Sequence, residues 1–104
     1  MRAGKAYLLG RAHVADPIDR PQFDQWYRTH HLSYAKQKLE AQRGWRFWSR
    51  SDPSVHYALY QFGSMEVLHE RMESAQLKML LADFDQAFPQ VTRTRELIEM
   101  MQEV

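Results

Sequence analysis

The pattern of apolar and polar positions along the chain predicts four β-strands and two helical regions. Residues 5–14 alternate with period two, and small or apolar side chains occupy one face of this strand. Residues 45–50 and 56–62 form two aromatic-rich runs joined by a polar loop, which predicts a β-hairpin. Residues 93–101 fit a strand or a helix, and the nearby Val91, Thr92 and Thr94 favour a strand.

The first helical region is expected between the first two strands. Asp19 and Gln22 have the spacing of a capping box, and Ile18 and Phe23 flank that box as a hydrophobic staple would. Gly44 suits the position that follows the last helical turn, so we expect the helix to end near residue 42.

The second helical region is expected between the hairpin and the last strand. Ser64 is the candidate N-cap, and Ser74 is placed to cap a continuation. Apolar residues at positions 77, 80, 81, 84 and 88 keep helical spacing, and Pro89 ends the pattern.

The resulting order, β-α-β-β-α-β, is that of the ferredoxin-like α+β fold, an antiparallel sheet with both helices on one face. Trp45, Phe47 and Trp48 would place aromatic side chains on both sides of the second strand. An aromatic face of this size is rarely left exposed on a monomer. We therefore expect a homodimer with two-fold symmetry.

Composition narrows the choice of partners. Fourteen Lys and Arg residues against thirteen Asp and Glu leave a net charge of +1, too little for binding nucleic acid or an anionic membrane. The absence of cysteine excludes disulfides and thiolate zinc sites. No apolar run is long enough for a membrane span or a secretory signal. We expect one cytoplasmic domain, residues 1–104, that binds a small molecule.

Three positions on the first helix resemble the EthD-like branch of the dimeric α+β barrel superfamily. That branch shows a Phe, an aromatic residue four positions later and a His four positions after that, which here are Phe23, Tyr27 and His31. An acidic residue often precedes the His in that branch, whereas this chain has His30. The resemblance implies a homodimer of ferredoxin-like subunits, each with a pocket between its sheet and its helices. Its relatives include cofactor-free oxygenases and cyclases, isomerases, haem-degrading enzymes and ligand sensors.

His31 is the leading candidate for chemistry. Tyr27 lies one turn before it and Tyr34 about one turn after it, so the three side chains would line one side of a cavity. A histidine exchanges protons near neutral pH, and a buried tyrosine hydroxyl donates to a developing enolate. The alternative is that His31 is a core histidine bonded to the backbone.

Four further residues are candidates for binding the substrate. Arg11 and His13 share a strand face with Tyr7; if that face lines the pocket, they would hold a carboxylate or phenolate. If it meets the partner subunit they are interface residues, and alternation leaves both readings open. Trp48 and Tyr60 would form walls for a flat ligand, or else fill the core and the dimer interface.

The expected function is that of a small cofactor-free enzyme, of the isomerase, cyclase or oxygenase type, acting on a cyclic or aromatic carbonyl compound. In an oxygenase, Trp26 or Trp48 would stabilise a substrate radical or carbanion. The alternative is a non-catalytic dimer that binds a small ligand. Haem is one such ligand, with axial ligation by a histidine; the candidates are His13, His31, His56 and His69.

No metal site is expected. Glu66, His69 and Glu73 share a helical face, but a solvated surface explains them at less cost. The adjacent His30 and His31 would diverge by about 100° on a regular α-helix and could not bind one ion together.

Overall fold

The computed structural model describes residues 4–104, and its elements follow the predicted order. They are β1 (Ala6–His13), α1 (Asp19–Trp26), a π-helical segment (Tyr27–His31), α2 (Leu32–Lys38), β2 (Arg43–Trp48), β3 (Val55–Phe62), α3 (Met65–Met72), α4 (Ala75–Ala87) and β4 (Thr92–Glu99). The last run is a strand, as favoured from its sequence. The second strand begins and ends earlier than the predicted run 45–50.

The four strands form one antiparallel sheet in the order β2-β3-β1-β4. Leu8, on the central strand β1, pairs with Tyr60 of β3 on one side and with Leu97 of β4 on the other. This order, with the helices packed on one face, confirms the predicted ferredoxin-like α+β fold.

The alternation of β1 decides which of its faces the helices cover. Ala6, Leu8 and Ala12 are buried in the core beneath the helices. Arg11 and His13 therefore point to the opposite face of the sheet, where both are exposed. The face of β1 that meets the helices is therefore the one with Ala6, Leu8 and Ala12, and not the one with Arg11 and His13.

The helix starts in the second half of the chain are as predicted. The Ser64 hydroxyl accepts from the Val67 amide at 3.2 Å, and the Ser74 hydroxyl accepts from the Leu77 amide at 3.2 Å. Each serine therefore satisfies an amide that the first turn leaves without a partner.

The first helix begins at Asp19, as the sequence predicts, but the predicted capping box does not form. The capping position is Ile18, whose side chain is 75% exposed, so no hydrophobic staple forms. Asp16 has already turned the chain, because its side chain accepts from the Ile18 amide and its carbonyl from the Asp19 amide. Asp19 is thus inside the helix, and its carboxylate accepts from Gln90 at 3.1 Å instead.

The predicted end of the same helical region is wrong. The helix ends at Lys38, and Glu40 adopts the left-handed conformation, with φ 54°, that was expected near Gly44. The Ala41 amide donates to the Lys36 carbonyl at 2.9 Å, which completes a Schellman motif. Arg71 supports this non-glycine residue by an ion pair with its carboxylate at 2.7 Å.

The sheet face that points away from the helices carries a group of apolar side chains beside polar ones. Phe47 on β2 is 50% exposed, and Ile98 on β4 is 40% exposed. Trp45, on the same strand as Phe47, and Tyr57 and Leu59 of the neighbouring β3 lie on this face too, because they alternate with the core-facing residues of β2 and β3. We call this surface the outer sheet face.

Candidate functional site

A cavity of about 330 Å³ lies between the sheet and the helices. Its walls are mostly aliphatic, with contributions from Leu8, Ala58, Leu77 and Leu80 among others. Six polar or charged side chains from three different elements also line it, namely Tyr27, His31, His56, Tyr60, Arg93 and Arg95. A concave, mainly apolar site with a small number of polar groups is typical of small-molecule pockets.

The π-helical segment carries two of these side chains, Tyr27 and His31, at its two ends. The Leu32 amide donates to the Tyr27 carbonyl, five residues back rather than four. Such segments are rare in proteins and often occur at functional sites. The sequence pattern predicted a regular helix here, because spacings of four residues do not distinguish an α turn from a π turn.

His31 is held between aromatic side chains and is only 5% exposed. Its ring stacks on Trp26, with 4.2 Å between centroids and 14° between planes, and meets the edge of Tyr27 at 5.0 Å. Burial lowers the pKa of His31 to about 4, against the opposing effect of the nearby Asp83 carboxylate. The imidazole is therefore neutral at pH 7.

Asp83, on α4, approaches both histidines of the π-helical segment. Its Oδ2 lies 3.3 Å from Nε2 of His30 and 3.5 Å from Nδ1 of His31. The second contact is close enough for an ion pair but too long for a good hydrogen bond. Asp83 thus supplies, from a different helix, the carboxylate that the residue before His31 does not. In the sequence, Asp83 is an acidic residue next to the apolar stripe of a helix. This is a common surface pattern, so it does not indicate a contact with His31.

His56, on β3, lies on the other side of Tyr27, with 4.5 Å between ring centroids. It is fully buried, and its Nε2 lies 3.4 Å from Nη1 of Arg46. Because a guanidinium only donates, this contact assigns the ring proton of His56 to Nδ1. Burial, together with the charge of Arg46, lowers the pKa of His56 to about 4. Nδ1 has no hydrogen-bond partner among the described residues.

Asp24 anchors the side chains behind His56. Its Oδ1 accepts from Arg46 Nη1 at 2.7 Å and from Trp48 Nε1 at 2.8 Å. The hydrogen bond from Arg46 is the main reason that the pKa of Asp24 lies below its usual value. These contacts join α1 to β2 next to the cavity.

Tyr27 and Tyr60 bring two phenol groups to the cavity from the π-helical segment and from β3. Burial raises the pKa of both, and their hydroxyls interact with each other. Both remain protonated at neutral pH; Tyr60 donates to Tyr27, so the proton of Tyr27 is the one left for another acceptor.

Of the seven site residues predicted from the sequence, three are brought together. His31, Tyr27 and Tyr60 line the cavity. Tyr34 instead stacks on His30, outside the cavity, with 4.9 Å between ring centroids. Ala35 takes the lining position one turn after His31.

The other three predicted site residues do not reach the cavity with their side chains. Trp48 packs on Phe23 and donates to Asp24 behind the cavity wall. Arg11 borders the cavity along the strand, but its side chain and that of His13 point to the outer sheet face.

Two arginines on β4 line the cavity and are not among the site residues that the sequence predicts. Arg93 and Arg95 alternate on the strand face that also carries Leu97. Arg93 pairs with Asp85 and lies over the Phe84 ring. Arginines that alternate along the last strand indicate two residues on one face. This face can be assigned to the cavity only when the face that meets the helices is known.

The four histidines considered as haem ligands are also separated. His31 and His56 line the cavity, whereas His13 and His69 are exposed outside it. Glu66, His69 and Glu73 are all exposed, as expected for a solvated helix face.

Three solved structures share this fold with the chain. SnoaB, a cofactor-independent oxygenase from Streptomyces nogalater crystallised as a single-residue variant, has a TM-score of 0.72 at 11% identity over 98% of both chains. An ethyl tert-butyl ether d (EthD) family protein from Bacillus halodurans has a TM-score of 0.74 at 16% identity, over 93% of this chain and 99% of that one. A candidate antibiotic biosynthesis monooxygenase from Deinococcus radiodurans has a TM-score of 0.70 at 11% identity over 95% of both chains.

No protein-family model and no curated protein sequence matches the chain. The structural similarities place the chain in the ferredoxin-like α+β fold, which is the fold that the resemblance to EthD-like proteins implied. In the part of the chain that the structure describes, no helix is both long enough and apolar enough to cross a membrane.

Proposed function

We propose that this chain is a small enzyme that acts without a cofactor on a small cyclic or aromatic carbonyl compound. The observation that carries the proposal is a buried, neutral His31 that faces an apolar cavity beside two protonated tyrosines and has a carboxylate behind it. The structural likeness to a cofactor-independent oxygenase and to a candidate monooxygenase supports the same class.

The chemistry that suits this arrangement is removal of a proton from a carbon next to a carbonyl. Asp83 faces Nδ1, which leaves Nε2 of His31 to take the proton. The C–H bond breaks, an N–H bond forms, and the electron pair moves to the carbonyl oxygen as an enolate. Tyr27, which accepts from Tyr60, would donate its own proton to that oxygen, and Asp83 would stabilise the imidazolium. Return of the proton to another carbon gives an isomer, and reaction of the enolate with dioxygen gives an oxygenation.

The cavity limits the substrate. A volume of about 330 Å³ is at the small end of the range of roughly 300–1,000 Å³ that is usual for ligand sites. Arg93 and Arg95 add positive charge at the β4 side. A compound of one or two rings that carries an acidic hydroxyl or a carboxylate fits this combination.

We also propose that two copies of the chain pair through the outer sheet face. The half-exposed Phe47 and the neighbouring Trp45 and Ile98 would then be covered. A symmetric pair buries the same patch on both subunits.

A non-catalytic ligand-binding protein is the second candidate function. The observation that favours it is the burial of His31, which lowers its pKa to about 4, whereas a general base works best when its pKa is near the working pH. Haem is one ligand to test, since His31 and His56 both line the cavity. A Soret band on titration with haem would support haem binding, and its absence would remove haem from consideration.

Hydrogen–deuterium exchange at carbon tests the proposed chemistry without knowledge of the product. One- and two-ring enolisable ketones are incubated with the protein in D₂O, and loss of the α-proton signal is followed by NMR. Wild type should accelerate exchange, and His31→Gln should lose about 100-fold or more of that acceleration. Tyr34→Phe is the matched control, because Tyr34 lies outside the cavity and should keep the full rate.

The outcomes separate the two candidate functions. Equal exchange by wild type and His31→Gln would contradict the role of His31 as the base. Saturable binding of a ketone without exchange would favour the ligand-binding protein. Oxygen uptake in the same mixture would distinguish an oxygenase from an isomerase.

A further inference from the structure

Three side-chain atoms with lone pairs converge at the edge of the cavity. His30, His31 and Asp83 each offer one such atom, and the three atoms lie within 4.8 Å of one another. The two histidine nitrogens approach the same oxygen, Oδ2, at 3.3 and 3.5 Å.

The local backbone differs from the one on which the sequence argument relied. Adjacent histidines on a regular α-helix diverge too far to share one ion. Here His30 and His31 end a π-helical segment, and both rings reach the same residue of α4. His30 stacks on Tyr34 and His31 on Trp26, so aromatic contacts hold each ring in place.

His31 provides an independent observation that points to a ligand. The residue is 5% exposed, and its Nδ1 is sealed from solvent without a hydrogen-bond partner among the described residues. A buried polar atom in this condition is costly, and native structures rarely tolerate one. Nδ1 faces the Asp83 carboxylate and lies inside the cluster, where a bound cation would satisfy it.

We propose that His30, His31 and Asp83 bind one divalent ion of the late first-row transition metals, such as Zn²⁺ or Co²⁺. Two imidazole nitrogens and one carboxylate oxygen favour these ions over Mg²⁺ and Ca²⁺, which prefer oxygen ligands. An ion bound at about 2.0–2.2 Å from each atom would separate the ligand atoms by roughly 3.0–3.6 Å. The two measured distances to Oδ2 fall in this range.

The surroundings permit the ion to enter and to complete its coordination. His30 and Asp83 are partly exposed, so solvent reaches two of the three proposed ligand residues from outside the cavity. Arg93, whose charge acts on His31, is paired with Asp85 and is therefore partly neutralised.

One consequence of the site rests on the proposed function. An ion on Nδ1 leaves the ring proton of His31 on Nε2, which then donates rather than accepts. Metal binding and proton abstraction by His31 would therefore exclude each other, and the ion would act as an inhibitor.

Titration of the tag-free 104-residue chain with Co²⁺ alone tests the site. We expect one equivalent to bind, with visible d–d absorption bands and a rise in melting temperature. His30→Ala should weaken Co²⁺ binding by about tenfold or more, because it removes one of three protein ligands. Asp83→Asn removes the only anionic ligand and should have a similar effect. His69→Ala, at an exposed histidine outside the cluster, is the matched control and should bind like wild type.

The proposal is overturned if wild type shows no saturable Co²⁺ binding, or if His30→Ala binds as tightly as wild type. Equal weakening by His69→Ala would also overturn it, since binding would then be general to surface histidines. No organic ligand is present in this titration. Failure of the metal site therefore leaves the exchange chemistry standing, and failure of the exchange chemistry leaves the metal site standing.

Discussion

The two buried histidines should make the fold lose stability steeply between pH 6.5 and pH 4. His31 and His56 are neutral in the folded chain, because burial lowers the pKa of each to about 4. On unfolding, both return to an ordinary value of about 6.5. Between these values the unfolded chain binds protons that the folded chain does not, so the free energy of unfolding decreases as the pH falls.

The size of the effect follows from the pKa differences. One pKa unit corresponds to about 1.4 kcal/mol, so each histidine should remove roughly 3 kcal/mol from the free energy of unfolding between pH 7 and pH 4. The sum of roughly 6 kcal/mol approaches the total stability of many small domains. Asp24 acts at lower pH: hydrogen bonding to Arg46 depresses its pKa, so its contribution is lost only below its ordinary value of 3.8.

Urea unfolding followed by tryptophan fluorescence, at steps from pH 7.5 to pH 4, measures this loss. His31→Gln and His56→Gln each replace one buried imidazole with a side chain that does not titrate. Relative to its own value at pH 7.5, each variant should lose about half as much stability as wild type. His69→Gln, at an exposed site on α3, is the control and should follow wild type. A wild-type stability that stays flat from pH 7 to pH 4.5 would refute the reasoning, as would an unchanged slope in both variants.

Three further changes test other parts of the structure. Phe47→Asp should convert the proposed dimer to a monomer in light scattering, whereas Met79→Asp, at an equally exposed position on α4, should leave the mass unchanged. A wild-type chain that is monomeric would contradict the pairing. Asp24→Asn should lower the free energy of unfolding by about 1–2 kcal/mol in urea, because Arg46 loses its charged acceptor; an unchanged midpoint would argue against this anchor. Ala35→Leu should fill part of the cavity and slow the exchange of the ketone's α-proton about tenfold or more, with little loss of stability. Exchange at the wild-type rate would mean that the reaction takes place outside this cavity.

Local patterns were sufficient to predict the architecture. The two serine caps act within one helical turn, and the alternation of β1 reflects the contrast between its two faces. Both patterns depend only on neighbours in the sequence, so they can be recognised without knowledge of the fold. The capping box at Asp19 failed because Asp16, three residues earlier, had already begun the turn.

The candidate site could be predicted only in part. Tyr27 and His31 share a helical spacing, and Tyr60 belongs to an apolar strand, so each leaves a local signal. Asp83 does not, because its approach to His31 depends on how α4 packs against the π-helical segment. Glu40 is a similar case, since Arg71 from α3 stabilises a backbone conformation that glycine normally adopts.

The π-helical segment also affects how this chain can be compared with its relatives. A π turn accommodates one residue more than the α turn that it replaces, so a relative with a regular helix requires a one-residue gap between Phe23 and His31. If the gap is omitted, the histidine of such a relative is aligned with the wrong member of the pair His30 and His31. The two residues differ in burial and surroundings, so conclusions about an equivalent base would be transferred to a partly exposed side chain. Superposition of the two structures over Trp26 and Ala35 fixes the correspondence that sequence spacing leaves ambiguous.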